Sequence, residues 1–437
     1  MKVLKFGGTS VGSAESMKNV AQLVINGKKK MVVLSAIAGT TNSLVEISDY
    51  FYKKNREGGL EKINILEHAY LDFIQELYSK EEFKNKAEEM SASIFSFMRT
   101  FAKGVFTIFE EKELVAQGEL LSSHLFQLYL EESGANSVIL PALDFMRIDK
   151  NGEPDTAYIN EHLHRLLDEN SDKEIYITQG YICRNFYGDI DNLKRGGSDY
   201  TASLIGATIR AEEIQIWTDI DGIHNNDPRY VENTRPVPML HFEEAAELAY
   251  FGAKILHPTC ILPAKLHNIP VRLLNTNNPT GPGTIISNKR VKGIIEAVAA
   301  KDNITAIKIK SGHMLLAYGF LRKVFEIFEK KQTPIDMITT SEVGVSVTID
   351  DTRKLDEIVN ELKKFGTVTV DKEMVIVCVV GDLDYEQAGF QAQVVNALKD
   401  IPVRMISYGG SNYNISLLIH AEDKAKALNL LSGAIFN

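Results

Sequence analysis

An apolar strand that ends in a glycine turn and continues as a helix is the feature that most narrows the folds open to this chain. VLKF runs into Gly7-Gly8-Thr9-Ser10, and a helical pattern starts near Ala14-Glu15. The unit recurs at KKKMVVLSA, whose unbroken apolar run enters AGTTN and then SLVEISDYF. A strand that is apolar throughout is covered on both faces, and crossover helices supply the cover. The repetition predicts an α/β fold with a mainly parallel central sheet between helices. Further strand patterns follow at SVIL, EIYITQGYI, EIQIWTDI and IPVRLLNT, and the turn-rich NNPTGPGT closes this part near residue 290. Residues 50–118 read as a charge-rich helical excursion beside the sheet. GELLSSHLFQLYLEESGA reads as a helix with Leu121, Leu125 and Leu128 on one face, Gly134 as its stop and Glu119 in its first turn. FEEAAELAYFGAKIL reads as another, ending at His257-Pro258 with Lys254 in its last turn.

The texture then changes. Residues 304–370 read strand, helix, strand, strand, helix, strand, and residues 374–437 repeat that order at low identity. The second copy runs out of chain before its last strand, which GIIEAVAA at 293–300 is placed to supply. The expected organisation is an α/β domain over 1–290, a first βαββαβ (ferredoxin-like) module inserted at 304–372, and a second built from 293–303 plus 373–437.

Composition excludes several function classes. A formal charge of −10 over 437 residues argues against nucleic acid or an anionic membrane as partner, so a small anionic ligand needs a locally basic pocket. Cys183, Cys260 and Cys378 are scattered, odd in number and lack metal-ligand spacing, which suits a reducing compartment. The N-terminus reads as a strand and not as a signal segment, and no run of about 18 apolar residues exists. The expectation is a soluble, cytoplasmic protein.

Three constellations carry chemistry. The 7–10 loop, with Lys5 on the strand before it, sets backbone N–H groups and a helix start where an anion can sit; an ordinary turn explains the same residues. It half-imitates a P-loop, but the lysine that should precede Ser13 is missing. LKRGGSDYTAS brings Arg195 and Asp199 to either side of two glycines, suited to a carboxylate and to phosphate, or to a capped turn. IWTDIDGIHNNDPRY delivers Thr218 and Asp219 to a strand's carboxyl end, where open α/β sheets bind ligands, in a segment rich in turn residues. Together they indicate a phosphate-handling α/β enzyme.

KFGGTSV, VVLSAIAGTTN, GELLSS, RGGSDYTA, WTDIDGI…DPR and GAKILHP stand in the order found in aspartate kinases of the amino-acid kinase family, and TTSEVGVSV with the duplicated modules resembles that family's paired ACT domains. The resemblance spans essentially the whole chain and implies a monofunctional enzyme. It implies ATP-dependent phosphorylation of the side-chain carboxylate of L-aspartate, the entry step to lysine, diaminopimelate, threonine and methionine. It also implies MgATP held chiefly by phosphates and water, with no protein metal ligand assigned. By resemblance, Lys5, Gly7, Gly8, Thr9 and Ser10 hold the transferring phosphoryl group, and Asp199 orients Lys5 or lies near magnesium. Glu119 and Arg195 take the substrate's ammonium and α-carboxylate, and Ser35 and Thr41 line the pocket. Thr218, Asp219, His224, Arg229, Lys254 and Ile255 fall on the nucleotide side. Lys194 stands where glycine is common and His224 where tyrosine is frequent.

The ACT modules imply feedback by an amino acid, lysine first and threonine second, at a contact between subunits. The matching residues are Met314, Gly319, Phe320, Leu321, Asp336, Thr340 and Ser341. Gly319-Phe320-Leu321 opens a helix whose N–H groups suit a carboxylate, and Asp336 suits an ammonium. Ala317 replaces a usual serine, a change of about 1 kcal/mol if one hydrogen bond is lost. A homodimer through the ACT modules is implied, with a tetramer as the larger alternative. The competing readings are another small-molecule kinase of this fold and a catalytically silent amino-acid sensor.

Overall fold

Strands Lys2–Phe6 and Lys30–Leu34 are buried at nearly every position and pair in parallel, with Lys5 opposite Val33. The computed structural model describes residues 1–193, 196–252, 258–311 and 318–436. From this central pair the sheet grows both ways. Lys30–Leu34 is followed by Ile175–Gln179 and Ser137–Ile139; Lys2–Phe6 is followed by Ile214–Thr218 and Val271–Asn275. All these neighbours are parallel, and Thr284–Ser287 joins antiparallel.

Alternation along the strands sorts their side chains. Leu4, Phe6, Val32 and Leu34 enter one core with the helices Thr40–Tyr52, Arg56–Leu77, Glu81–Thr100 and Ile108–Glu132. Lys5 therefore faces the opposite side, where the helix Gly197–Thr208 lies against Lys2–Phe6. The excursion is helical as expected, but its last helix begins at Ile108, earlier than the periodicity suggests. Thr107 and Glu110 form a capping box there, so Glu119 lies in mid-helix and not in a first turn.

The chain divides into two compact units, Met1–Ile223 with Leu256–Asn288 and His224–Ile255 with Lys289–Asn437. Residues 224–255 pack with the C-terminal modules, since Val231 enters the second module's core and Asn226 Nδ2 donates to Leu428 O at 3.1 Å.

The second unit carries a six-stranded antiparallel sheet built around two long strands, Ile295–Lys310 and Thr367–Gly381. Residues 295–301 pair with 376–381, and residues 306–310 pair with 367–371. Ile338–Ser341 and Gly344–Ile349 extend one side; Asn414–His420 and Met405–Ser407 extend the other. Each long strand changes register between the halves, at positive-φ residues Asn303 (61°) and Glu373 (54°). Two cores result. Val324, Ile327, Phe328 and Ile358 fill the first, and Val377, Val394, Leu417 and Leu428 fill the second.

The helix expected to reach His257 spans Phe242–Tyr250, opened by a His241–Glu244 capping box. Its expected continuation through Lys254 and Ile255 lies outside the described residues, as do Lys194, Arg195, Met314 and Ala317.

Candidate functional site

The carboxyl ends of the central strands surround a cavity of about 340 Å³. Lys5, the side chain that alternation turns away from the main core, enters it and meets Asp199 in the first turn of the helix Gly197–Thr208. Lys5 Nζ lies 2.8 Å from Asp199 Oδ1, and both side chains are largely buried.

Gly8 sits where the strand turns. A Cβ there would lie 2.8 Å from the Ala36 carbonyl oxygen, so the residue has no room for a side chain. That close approach is fastened by Ala38 N donating to Gly8 O at 3.2 Å. The loop 35–39 thereby lies against the first glycine turn, and Ser122 Oγ donates to Ser35 O at 2.8 Å from the opposite helix. Two helices begin at the cavity wall, Thr40–Tyr52 after Gly39 and Gly197–Thr208 after Gly196. Their free N–H ends and dipoles favour anions.

Glu119 is buried among these groups, 4 % exposed. Its Oε1 accepts a 3.4 Å hydrogen bond from Ala36 N, while Oε2 has no partner among the described residues. Burial pushes its carboxyl up to about 7, against the opposing Ala36 hydrogen bond. A buried acid with a vacant acceptor is a receptor for a cation.

Lys5, Gly8, Ser35, Thr41, Glu119 and Asp199 thus line one cavity, and Gly7 lies beside the Lys5 ammonium. Thr9 is exposed in a short 3-10 turn. Ser10 turns elsewhere: it is buried, and its hydroxyl lies 3.4 Å from Trp217 O and from Thr276 Oγ1. Thr218 ends its strand, with Asp219 following. His224 and Arg229 belong to the second unit, where His224 Nδ1 lies 2.9 Å from Thr234 Oγ1 and Arg229 forms a fork with Asp227.

Ile37, Tyr181 and Ser198 also line the cavity, and the sequence pattern does not single them out. Tyr181 has φ 66°, a conformation rare for a bulky residue, and packs over Gly197. The one local hint is the glycine before it at the end of Ile175–Gln179.

In the second unit, Gly319 (φ 79°) precedes the helix Phe320–Lys330, where Phe320 is buried and Leu321 exposed. Thr340 and Ser341 are exposed on the edge strand Ile338–Ser341. The Asp336 side chain is instead enclosed, paired with Lys301 at 2.6 Å and with the Tyr250 hydroxyl at 3.0 Å. Burial raises the Asp336 carboxyl above its usual range despite the opposing Lys301.

Among the described residues no helix is long and apolar enough to cross a membrane, and no three His, Cys, Asp or Glu side chains cluster as a metal site.

The amino acid kinase family matches over residues 1–275 and the ACT domain over residues 377–435. The chain is similar to chloroplastic aspartokinase 3 of Arabidopsis thaliana, 34% identical over 466 residues, covering 99% of this chain and 81% of that protein. It is 33% identical over 447 residues to lysine-sensitive aspartokinase 3 of Escherichia coli, covering 99% of each. Among solved structures it resembles Escherichia coli aspartokinase III in complex with aspartate and ADP, in the R-state, with a TM-score of 0.84. The same enzyme with lysine and aspartate, in the T-state, gives 0.81; each pair is 33% identical and covered fully.

Proposed function

Because the chain belongs to the amino acid kinase family, we propose that it is an aspartokinase, transferring the γ-phosphoryl group of ATP to the side-chain carboxylate of L-aspartate. The observation that carries this reading is one cavity holding both the Lys5–Asp199 pair and the half-satisfied carboxylate of Glu119. A carboxylate oxygen of aspartate bonds to the γ-phosphorus as the bond to the β,γ-bridging oxygen breaks, giving 4-phospho-L-aspartate and ADP. The nucleophile has a pKa near 4 and is already ionised, so no general base is needed. The work is to bring two anions together and to stabilise a loose phosphoryl transition state by position and charge.

Lys5 supplies the positive charge, and Asp199 holds its ammonium in place. The Gly8 N–H and the helix start at Gly197 are offered to the phosphoryl oxygens, while Gly7, whose own N–H donates to Trp217 O at 3.3 Å, anchors the turn beside the Lys5 ammonium. Glu119 receives the substrate ammonium at its vacant oxygen, Arg195 receives the α-carboxylate, and Ser35 and Thr41 complete the pocket. Thr218, Asp219, His224, Arg229, Lys254 and Ile255 are assigned to the nucleotide, and Thr9 and Ser10 to the phosphate turn, with the Ser10 hydroxyl bracing it. The cavity's carboxylates, Asp199 and Glu119, are too few for a protein-built metal cage. That donor set fits magnesium that arrives on ATP phosphates and keeps its waters. When bound, the ion neutralises phosphate charge.

The ACT modules make the enzyme subject to feedback by an amino acid, lysine first and threonine second. Met314, Gly319, Phe320, Leu321, Asp336, Thr340 and Ser341 are assigned to that site. A homodimer through these modules, pairing into a tetramer as the larger alternative, and a cytoplasmic setting belong to the same reading.

The test is an ATP-plus-aspartate assay with magnesium and hydroxylamine, which traps the acyl phosphate as aspartyl hydroxamate. Hydroxamate that forms and then falls on adding lysine supports both halves of the reading. Hydroxamate insensitive to lysine keeps the kinase and turns the feedback assignment to threonine. No hydroxamate from folded protein defeats it, in favour of another substrate or a silent sensor.

A further inference from the structure

The helix Phe242–Tyr250 is the last helix before residues 253–257, and partners from both modules hold its two ends. At its start His241 stacks on Tyr413, ring centroids 5.5 Å apart and planes within 10°. Six residues on, Glu247 accepts a hydrogen bond from the Asn414 side chain. At its end the Tyr250 hydroxyl donates to Asp336 Oδ1 at 3.0 Å. Two residues later, Gly252 (φ 126°) presses on the long strand so closely that a Cβ would lie 2.2 Å from Ala300 O.

The next residue on that strand is Lys301. Its ammonium lies 2.6 Å from the same Asp336 oxygen, 3.0 Å from Asp350 Oδ2, and 4.5 Å from the centroid of the Tyr250 ring. One carboxylate thus ties together the helix end, the strand near its change of register, and the loop before Ile338–Ser341. The Asp336 side chain is only 1 % exposed, and its Oδ2 has no partner among the described residues.

We propose that Lys301 and Tyr250 compete with an amino-acid effector for Asp336, so that the effector's ammonium binds by displacing them and thereby frees the end of the helix Phe242–Tyr250. This rests on the assignment of Asp336 to the effector site. The exchange is one ammonium for another, so the charge balance of the buried carboxylate is kept. Lys301 keeps a partner after displacement, because Asp350 is 39 % exposed and already in contact. The Tyr250 hydroxyl passes to water, since that residue is 40 % exposed. What the effector must overcome is the Lys301–Asp336 ion pair, which its own ammonium replaces, together with one hydrogen bond from Tyr250 to a charged group and one cation–aromatic contact. All three stand between the feedback module and the helix that leads to Lys254.

The experiment is calorimetric titration of the full-length protein with L-lysine and, separately, L-threonine. Tyr250→Phe keeps the ring over Lys301 and removes only the hydroxyl. Lys301→Met keeps the stem and removes the charge. We expect Tyr250→Phe to tighten the dissociation constant about three- to tenfold, a range discounted for the exposure of the tyrosine, and Lys301→Met to tighten it further. In an Asp336→Asn background Tyr250→Phe produces no tightening. A purely structural role weakens binding or leaves it unchanged, so an unchanged or weaker constant in Tyr250→Phe overturns the competition while leaving the effector assignment standing. If Lys301→Met does not fold, the Tyr250→Phe result decides alone. Wild-type protein that binds neither amino acid overturns the proposal together with the effector assignment on which it rests.

Discussion

Glu119→Gln separates the catalytic role of this carboxyl from its effect on stability. In the free enzyme burial holds the carboxyl at about 7. At pH 6 only about a tenth of the protein then carries the carboxylate proposed to receive the substrate ammonium, against about nine-tenths at pH 8. Aspartate itself does not titrate in that interval. At saturating MgATP, kcat/KM for aspartate is therefore expected to fall toward tenfold per unit below pH 7, while kcat, read from the occupied site, moves less. Glu119→Gln removes the charge and is expected to lower kcat/KM by about 10- to 100-fold, the range for a lost charge-assisted hydrogen bond, and to flatten the profile.

Stability moves the other way. Below about pH 4.5 the carboxyl is protonated in both folded and unfolded chains and costs nothing. As pH rises from there to about 7 the unfolded chain ionises first, so the fold loses stability, and above 7 the loss is constant. A raised pKa of this size sets an upper bound of about 3 kcal/mol. The glutamine variant is accordingly expected to melt higher than wild type at pH 8, with no such gain at pH 4.5. An ADP-coupled assay over pH 6–8 and thermal melts at both pH values read the two effects. A flat wild-type profile, or a variant that melts lower at pH 8, would refute the reasoning.

Lys5→Met is expected to cut kcat by at least about 10²-fold with a smaller change in the aspartate KM, because the proposed role sets its charge on the transferring group; steady-state kinetics decide. Gly8→Ala must push the Ala36 carbonyl back by about half an ångström, and is expected to lose roughly 10- to 100-fold in kcat/KM. Gly27→Ala, at φ 70° with open space around it, should instead cost about 1 kcal/mol in a denaturant titration and leave kcat/KM unchanged. Chelation of magnesium should abolish turnover without lowering the melting temperature of nucleotide-free protein, since no ligand cluster among the described residues depends on a metal; a lowered melting temperature would reveal a resident ion.

Local features are the legible ones. Lys5, Gly8 and Asp199 are each placed at a strand or helix end by the sequence pattern, whereas the pairing of Lys5 with Asp199 comes from the resemblance to the aspartate kinases. Glu119 is misplaced within its helix by that pattern because the start is fixed by the Thr107–Glu110 box, well before the apolar periodicity becomes clean. Tyr181 escapes notice because nothing in its side chain signals a left-handed backbone. Ser10 looks like one more phosphate hydroxyl, yet its orientation depends on Trp217 and Thr276, more than 200 residues away. Asp336 reads as open to a ligand, whereas Lys301 and Tyr250, distant in sequence, enclose it.

The two long strands have a consequence for what can be cut. Each serves both feedback modules, one half on either side of Asn303 or Glu373. No single scission of the backbone separates the two modules with both intact, since the first lies between the last strand of the second and the rest of it. Unfolding of either module strips a neighbour of its sheet partner, so the pair is expected to melt as one cooperative block. Recombination that exchanges a whole module for a foreign one would need two crossovers inside continuous strands. The tandem is thus inherited, and lost, as a unit.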